Sequence, residues 1–233
     1  MVEITFLLPA FNEEDTIENV IGQLDGLRRE FRDSEILVVN DGSTDRTGSI
    51  LKKTMQKVNS LRIVTHSQNK GLGAALYTGF KQARGKIIVT MDADLSHDTS
   101  LVKKLVGGLR EGNSVVIASR YTPGGRMVGV PLYRVIVSAF ANFVFSKLFD
   151  LKVKDATSGY RAYDQRVVKD IRVESHGFSA QLEILIKIRK KASNFKEVPL
   201  ILSMRKIGYS KFRLFDVFLS YLKLMYIIVI PHE

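Results

Sequence analysis

The chain has 233 residues, 45% of them hydrophobic, with five prolines and no cysteine, which suits one large domain or a domain with an appendage and excludes a disulfide scaffold or a cysteine-ligated zinc or iron–sulfur centre. The formal net charge of +11 is lopsided, because residues 1–101 hold 12 Lys/Arg against 14 Asp/Glu while residues 102–233 hold 23 against 10. Such a basic half calls for an anionic partner, namely substrate phosphates, anionic lipid or nucleic acid, and the short first apolar run, closing at Pro9, does not fit a secretory leader.

In chain order, residues 3–9, 34–40, 61–66, 86–92 and 114–119 are β-branched, apolar runs that predict strands. Amphipathic patterns near 14–31, 44–58, 72–84 and 99–111 predict helices between them. The uninterrupted apolar character of 36–39 and 87–89 predicts strands buried on both faces. Strand–helix alternation of this kind implies a doubly wound α/β fold with a mostly parallel central sheet flanked by helices, whose ligands belong at the carboxyl ends of the strands. Polar clusters fall at those ends: Asn12-Glu13-Glu14, Asp41-Gly42-Ser43, Asp92-Ala93-Asp94 and Arg120. After a loop at Thr122–Gly125, residues 132–149 read as a long apolar helix. A turn-rich stretch at 155–163, a helix near 178–192, a short strand pair near 196–206 and an apolar segment at 215–230 complete the chain.

Asp92 and Asp94 leave an extended backbone on the same side. Two carboxylates there suit Mg²⁺ or Mn²⁺ with positions left for phosphate oxygens, although an Asp pair in that position also serves as a helix cap. Asp41-Gly42-Ser43-Thr44 reads either as a turn with Ser43 or Thr44 as N-cap, or as a carboxylate placed for a donor group of a nucleobase or ribose. Asn69-Lys70-Gly71-Leu72-Gly73 opens a helix with glycines and a cation, which suits phosphate approach, but lacks the Gly-Lys-Ser/Thr spacing of a Walker loop.

Together these segments resemble glycosyltransferase family two, and within it the dolichol-phosphate (polyprenol-phosphate) mannose synthases. The matching stretches are Leu8–Glu14, Val39–Asp45, Asn69–Gly73, Met91–His97, Ser119–Tyr121 and Asp155–Arg161. The resemblance implies a GT-A nucleotide-sugar fold with Pro9, Phe11, Glu13 and Asp41 lining a nucleoside pocket and Lys70 near the donor. It implies Asp92 and Asp94 at the metal and diphosphate, with Ser96 as a further candidate ligand and His97 as a structural neighbour. Arg120, Arg134 and Ser138 would bind an acceptor phosphate. Arg205 and Lys211 would reach phosphates from a loop around Gly208-Tyr209-Ser210, unless they form a solvated charge pair. The Gln-x-x-Arg-Trp motif of processive polysaccharide synthases is excluded, because the chain has no tryptophan. No convincing catalytic aspartate follows the Asp-x-Asp pair, as expected for a phosphate acceptor, which is already an anionic nucleophile and needs no general base.

The helix at 132–149 carries Arg134, Ser138, Asn142 and Ser146 at four-residue spacing, a polar stripe on an apolar cylinder. The apolar remainder would meet lipid tails or the protein core. The segment 215–230 includes Asp216 and Lys223 and falls short of the ~20 apolar residues of a membrane span, so an interfacial helix fits better. The expected organisation is a catalytic domain over 1–212 and a membrane-associating helix over 213–233. The expected activity is inverting transfer of mannose from GDP-mannose to a dolichyl or polyprenyl phosphate, at the cytoplasmic face of a membrane, peripherally bound, with a small membrane-anchoring subunit as a further partner and no role for nucleic acid. Two alternatives are the same reaction with UDP-glucose or another nucleotide sugar, and a non-enzymatic basic nucleic-acid-binding module. A sugar-phosphate nucleotidyltransferase is disfavoured by the absence of a Gly-rich basic signature after the first strand.

Overall fold

The computed structural model describes residues 2–192, 194–203, 221 and 224. The first half follows the predicted alternation: β1 (Ile4–Ala10), α1 (Ile17–Gly26), β2 (Ser34–Asn40), α2 (Thr47–Met55), β3 (Leu61–Thr65), α3 (Leu72–Gln82), β4 (Ile87–Thr90), α4 (Val102–Arg110) and β5 (Val115–Ser119). Then come β6 (Arg126–Val128), α5 (Leu132–Leu148), β7 (Arg161–Asp164), α6 (Gln165–Val168), α7 (Ser179–Arg189), β8 (Phe195–Pro199) and β9 (Ile201–Ser203). Seven strands form one sheet in the order β3-β2-β1-β4-β7-β5-β8. All neighbours run parallel except β7, which is antiparallel to both β4 and β5.

Side-chain alternation along the strands separates two cores. Phe6, Leu8, Ile36, Val38 and Val89 face one layer, which includes Ile17, Val20 and Ile21 of α1 and Leu105 and Val106 of α4. Leu7, Leu37, Val39 and Ile88 face the other, with Leu76 and Phe80 of α3 and Leu182 and Leu185 of α7. Both faces of the central strands are therefore dry, as their continuous apolar runs required.

Three expectations need correction. The turn-rich stretch at 155–163 ends in β7, which fills the middle of the sheet; only four residues pair, and its opening Arg161 disguised it as a polar loop although that side chain is wholly buried. The strands near 196–206 do not pair with each other. β8 joins β5 and β9 joins β6 in a small parallel ladder, because Leu200 between them bonds to Ser119 and Arg126 instead. Neither Ser43 nor Thr44 caps α2, which begins at Thr47, with Asp45 Oδ1 accepting from the Thr47 amide at 2.9 Å. Ser43 and Thr44 hold Asn12.

Candidate active site

The parallel strands β1, β2, β3, β4 and β5 all deliver their carboxyl ends to one rim. Because β7 runs the other way, it is the loop before it, residues 155–160, that reaches this rim. Chain direction alone thus gathers every polar cluster named from the sequence among the described residues.

At the β1–β2 side, the two strand-end loops are laced together. Asn12, held at φ +55°, accepts from the Thr44 amide at 2.9 Å, and its own amide donates to Ser43 Oγ at 3.0 Å. The Glu13 amide donates to Thr47 Oγ1 and the Glu14 amide to Asp45 Oδ2. Pro9, Phe11 and Glu13 lie half-buried along this seam.

Asp41 is 3% exposed, and both of its carboxylate oxygens are engaged. Oδ1 meets His66 Nδ1 at 2.6 Å and the Lys70 amide at 3.0 Å, and Oδ2 accepts from the Gly71 amide at 2.8 Å. His66 Nε2 lies 2.9 Å from Thr78 Oγ1 on α3. The carboxylate therefore pins the Lys70-Gly71 turn and leaves the Lys70 side chain exposed at the rim. Gly71 sits at φ +89°, where a Cβ would lie 2.3 Å from the His176 carbonyl oxygen, so both the backbone angle and the close approach demand glycine. His66 carries no motif of its own; its signal in the sequence was only its place at the end of a strand.

Asp92, Asp94 and Ser96 occupy one turn after β4. Leu95 stands at φ +61°, unusual for a branched side chain, and the resulting fold-back lets the Ser96 amide donate to Asp94 Oδ1 at 3.0 Å. It also returns His97 to the start of the turn. His97 Nδ1 accepts from the Asp92 amide at 3.2 Å, which assigns the ring proton to Nε2, 3.7 Å from Asp92 Oδ2. The ring stacks on Tyr160 with centroids 4.7 Å apart. His97 thus acts as the expected structural neighbour, setting Asp92 from behind. Two carboxylates in one turn fit a hard divalent cation by donor type, although no group of three or more acidic or histidine side chains with metal-site spacing occurs among the described residues.

The cationic side of the rim is built on an ion pair that the sequence left unassigned. Asp155, fully buried, accepts from Arg120 Nε at 2.7 Å, Arg120 Nη2 at 2.6 Å, the Arg120 amide at 2.9 Å and the Ser158 amide at 3.1 Å. Arg120 Nη2 also donates to Thr157 Oγ1 at 2.8 Å. Burial opposes ionisation of Asp155, but the guanidinium charge and its hydrogen bonds outweigh it and hold the carboxyl below its ordinary value. The Arg120 guanidinium is likewise raised, the Asp155 charge outweighing burial. Tyr121 packs against the Arg120 guanidinium and donates to Ser138 Oγ at 2.7 Å. Asn142, 1% exposed, bridges the Ser138 carbonyl and Thr157. Ser138 and Asn142 therefore face the site. Arg134, one turn earlier, remains exposed, with Nε 3.1 Å from its neighbour Tyr133 Oη.

The rest of α5 is inverted relative to a soluble helix. Leu132 (72% exposed), Phe140 (67%), Ile136, Val137, Phe143 and Leu148 point outward, while only Asn142 and Phe145 are buried. No helix among the described residues is long and apolar enough to cross a membrane. Arg205, Lys211 and almost all of the apolar segment 215–230 lie outside the described residues.

Comparison with known proteins agrees with this geometry. A family model described as glycosyl transferase family 2 matches residues 5–172. The chain is 33% identical over 229 residues to a dolichol-phosphate mannosyltransferase of Pyrococcus furiosus, covering 97% of this chain but only 63% of that protein, so it spans less than two thirds of that relative. It is 31% identical over 212 residues to a polyprenol monophosphomannose synthase of Mycolicibacterium smegmatis, covering 88% of this chain and 79% of that one. An undecaprenyl-phosphate mannosyltransferase of Micrococcus luteus is 30% identical over 216 residues, with 90% and 87% coverage. Among solved structures, the glucosyl-3-phosphoglycerate synthase of Mycobacterium tuberculosis in complex with Mn²⁺, UDP and glucosyl-3-phosphoglycerate superposes with a TM-score of 0.75 at 23% identity, over 100% of this chain and 82% of that one. That likeness is one of fold, the GT-A arrangement of a mostly parallel sheet flanked by helices. On the family match and on its mannosyltransferase relatives, the chain belongs to glycosyl transferase family 2 and is a glycosyltransferase.

Proposed function

We propose that this glycosyltransferase moves mannose from GDP-mannose onto a dolichyl or polyprenyl phosphate at the cytoplasmic face of a membrane, with inversion at the anomeric carbon. The observation that carries the reading is the inverted helix α5, whose polar residues Ser138 and Asn142 are joined to Arg120 through Tyr121 and Thr157 while its apolar side chains face outward. An acceptor with a phosphate head and a long hydrocarbon tail matches both faces of one element. The names of the relatives point the same way.

In this reading, the seam of Pro9, Phe11 and Glu13 receives the nucleoside, next to the turn that Asp41 pins, and exposed Lys70 approaches the diphosphate. Asp92 and Asp94, with Ser96 beside them, would hold Mg²⁺ or Mn²⁺. When bound, the cation neutralises charge on the departing diphosphate. Asp155 fixes the plane of the Arg120 guanidinium, and Arg120, Ser138 and the exposed Arg134 hold the acceptor phosphate against its repulsion from the donor. A phosphate oxygen then forms the bond to the anomeric carbon as the bond to the nucleoside diphosphate breaks on the opposite face. No proton need move, so no general base is required. The helix face of α5 rests in the lipid interface, and the assignments of Arg205, Lys211 and a C-terminal interfacial helix belong to the same proposal.

Calorimetric titration with GDP, GDP-mannose, UDP and UDP-glucose, each with and without Mn²⁺, tests it. Metal-dependent binding of the GDP pair, together with transfer of labelled mannose to polyprenyl phosphate in vesicles, is the expected result. Preference for the UDP pair would replace the donor. Retention on nucleic acid without nucleotide-sugar binding would overturn the transferase site.

A further inference from the structure

Helix α7 (Ser179–Arg189) buries three polar side chains on its first turns, Ser179, Gln181 and Glu183, and the last two are treated very differently. Glu183, 1% exposed, is fully served: Lys187 pairs with it at 2.7 Å, and the amides of Glu174 and Ser175 donate to it at 2.9 and 2.8 Å. Gln181, 4% exposed, has no such service. Its backbone carbonyl accepts from Arg161 Nη1 at 2.8 Å, but its side-chain Oε1 is enclosed with no hydrogen-bond partner among the described residues. Burying an amide oxygen unpaired costs about 1–3 kcal/mol, so the group calls for a partner that the described residues do not supply, a water, an ion or a ligand.

The place of the amide identifies what completes it. A Cβ built on Gly159 would lie 3.1 Å from Gln181 Nε2 and 3.5 Å from Asp92 Oδ1. The amide and the first carboxylate of the Asp-x-Asp pair therefore both close on Gly159, where any side chain would press on the amide, and the amide lies beside the Asp-x-Asp turn. A phosphate oxygen only accepts hydrogen bonds, so it satisfies the NH₂ end and leaves the oxygen orphaned. A sugar hydroxyl both donates and accepts, and the soft terminal torsion of glutamine lets either end turn towards it. An amide also cannot take a proton at neutral pH, which suits a site whose nucleophile is already ionised.

We propose that Gln181 is a donor-specificity residue, hydrogen-bonding a hydroxyl of the transferred sugar beside Asp92. This rests on the reading of the Asp92–Asp94 turn as the nucleotide-sugar site.

The test is Gln181→Met, nearly the same shape without hydrogen-bonding atoms, compared with wild type in three measurements. Thermal unfolding should be unchanged or slightly raised, because an unpartnered amide gives way to an apolar group. Affinity for the nucleoside diphosphate with Mn²⁺, measured by calorimetry, should stay within about twofold, while kcat/KM for the nucleotide sugar falls at least ~10-fold and discrimination between hexose epimers narrows. Gln181→Glu, which keeps an acceptor, should retain more epimer discrimination than Gln181→Met. A parallel fall in diphosphate affinity, an unchanged kcat/KM, or marked destabilisation by Gln181→Met would overturn the assignment, the last by showing that the amide serves the fold. Wild-type protein that binds no nucleotide would instead sink the donor-site reading itself.

Discussion

Replacing Asp155 by Asn should destabilise the protein far more than an ordinary polar substitution. The wild-type carboxylate is fully buried and accepts four hydrogen bonds on its two oxygens, three of them from Arg120. Asparagine offers one oxygen, and its NH₂ must face donors that previously met the other one. The Arg120 guanidinium, only 15% exposed at its side chain, would be left charged without a counter-charge. Breaking a buried pair from one side costs about 3–5 kcal/mol, a large part of the roughly 5–15 kcal/mol that holds a domain together. Urea unfolding followed by circular dichroism should show the midpoint falling by about 1 M or more. The double variant Arg120→Met/Asp155→Leu should unfold later than Asp155→Asn, because no uncompensated charge remains. A loss below about 1 kcal/mol for Asp155→Asn would refute the argument that this pair orders the rim.

Acid should reveal the same pair. With the Asp155 carboxyl held below its ordinary 3.8, its contribution is whole above that value and disappears as pH falls through the lower folded value; the stability gap between wild type and Asp155→Asn should therefore be flat from neutral to about pH 5 and close below about pH 4. Asp94→Ala should abolish sugar transfer while leaving the melting temperature within a few degrees, and substantial residual turnover would refute the metal role. Arg134→Ala, on an exposed side chain, should raise the KM for polyprenyl phosphate by about 10-fold or more with little change in the nucleotide-sugar KM; equal effects on both would remove it from the acceptor site.

The sequence alone determined the parallel half of the fold and the rim of the site, because both are written in local pattern. Dry parallel strands need continuous apolar runs such as 36–39, and chain direction then obliges whatever follows each run, Asp41, Asp92 or Arg120, to lie on one edge. The apolar surplus of 132–149 was equally plain, but its burial was not, since an apolar helix reads alike whether it fills a core or meets lipid. Only the tertiary structure decided that Ser138 and Asn142 turn inward while Phe140 and Leu132 turn out. It also decided what each polar residue is tied to. Asp155 and Arg120 are 35 residues apart, as are no pattern-bearing neighbours in a helix or strand, and they meet because the antiparallel β7 carries its leading loop to the rim. The same reversal hides Arg161 inside the sheet and sets Gly159 and Gln181 against Asp92. Local sequence encodes which face is dry; which distant charges share that face is decided by the strand order, and no residue in the short Arg161–Asp164 run announces it.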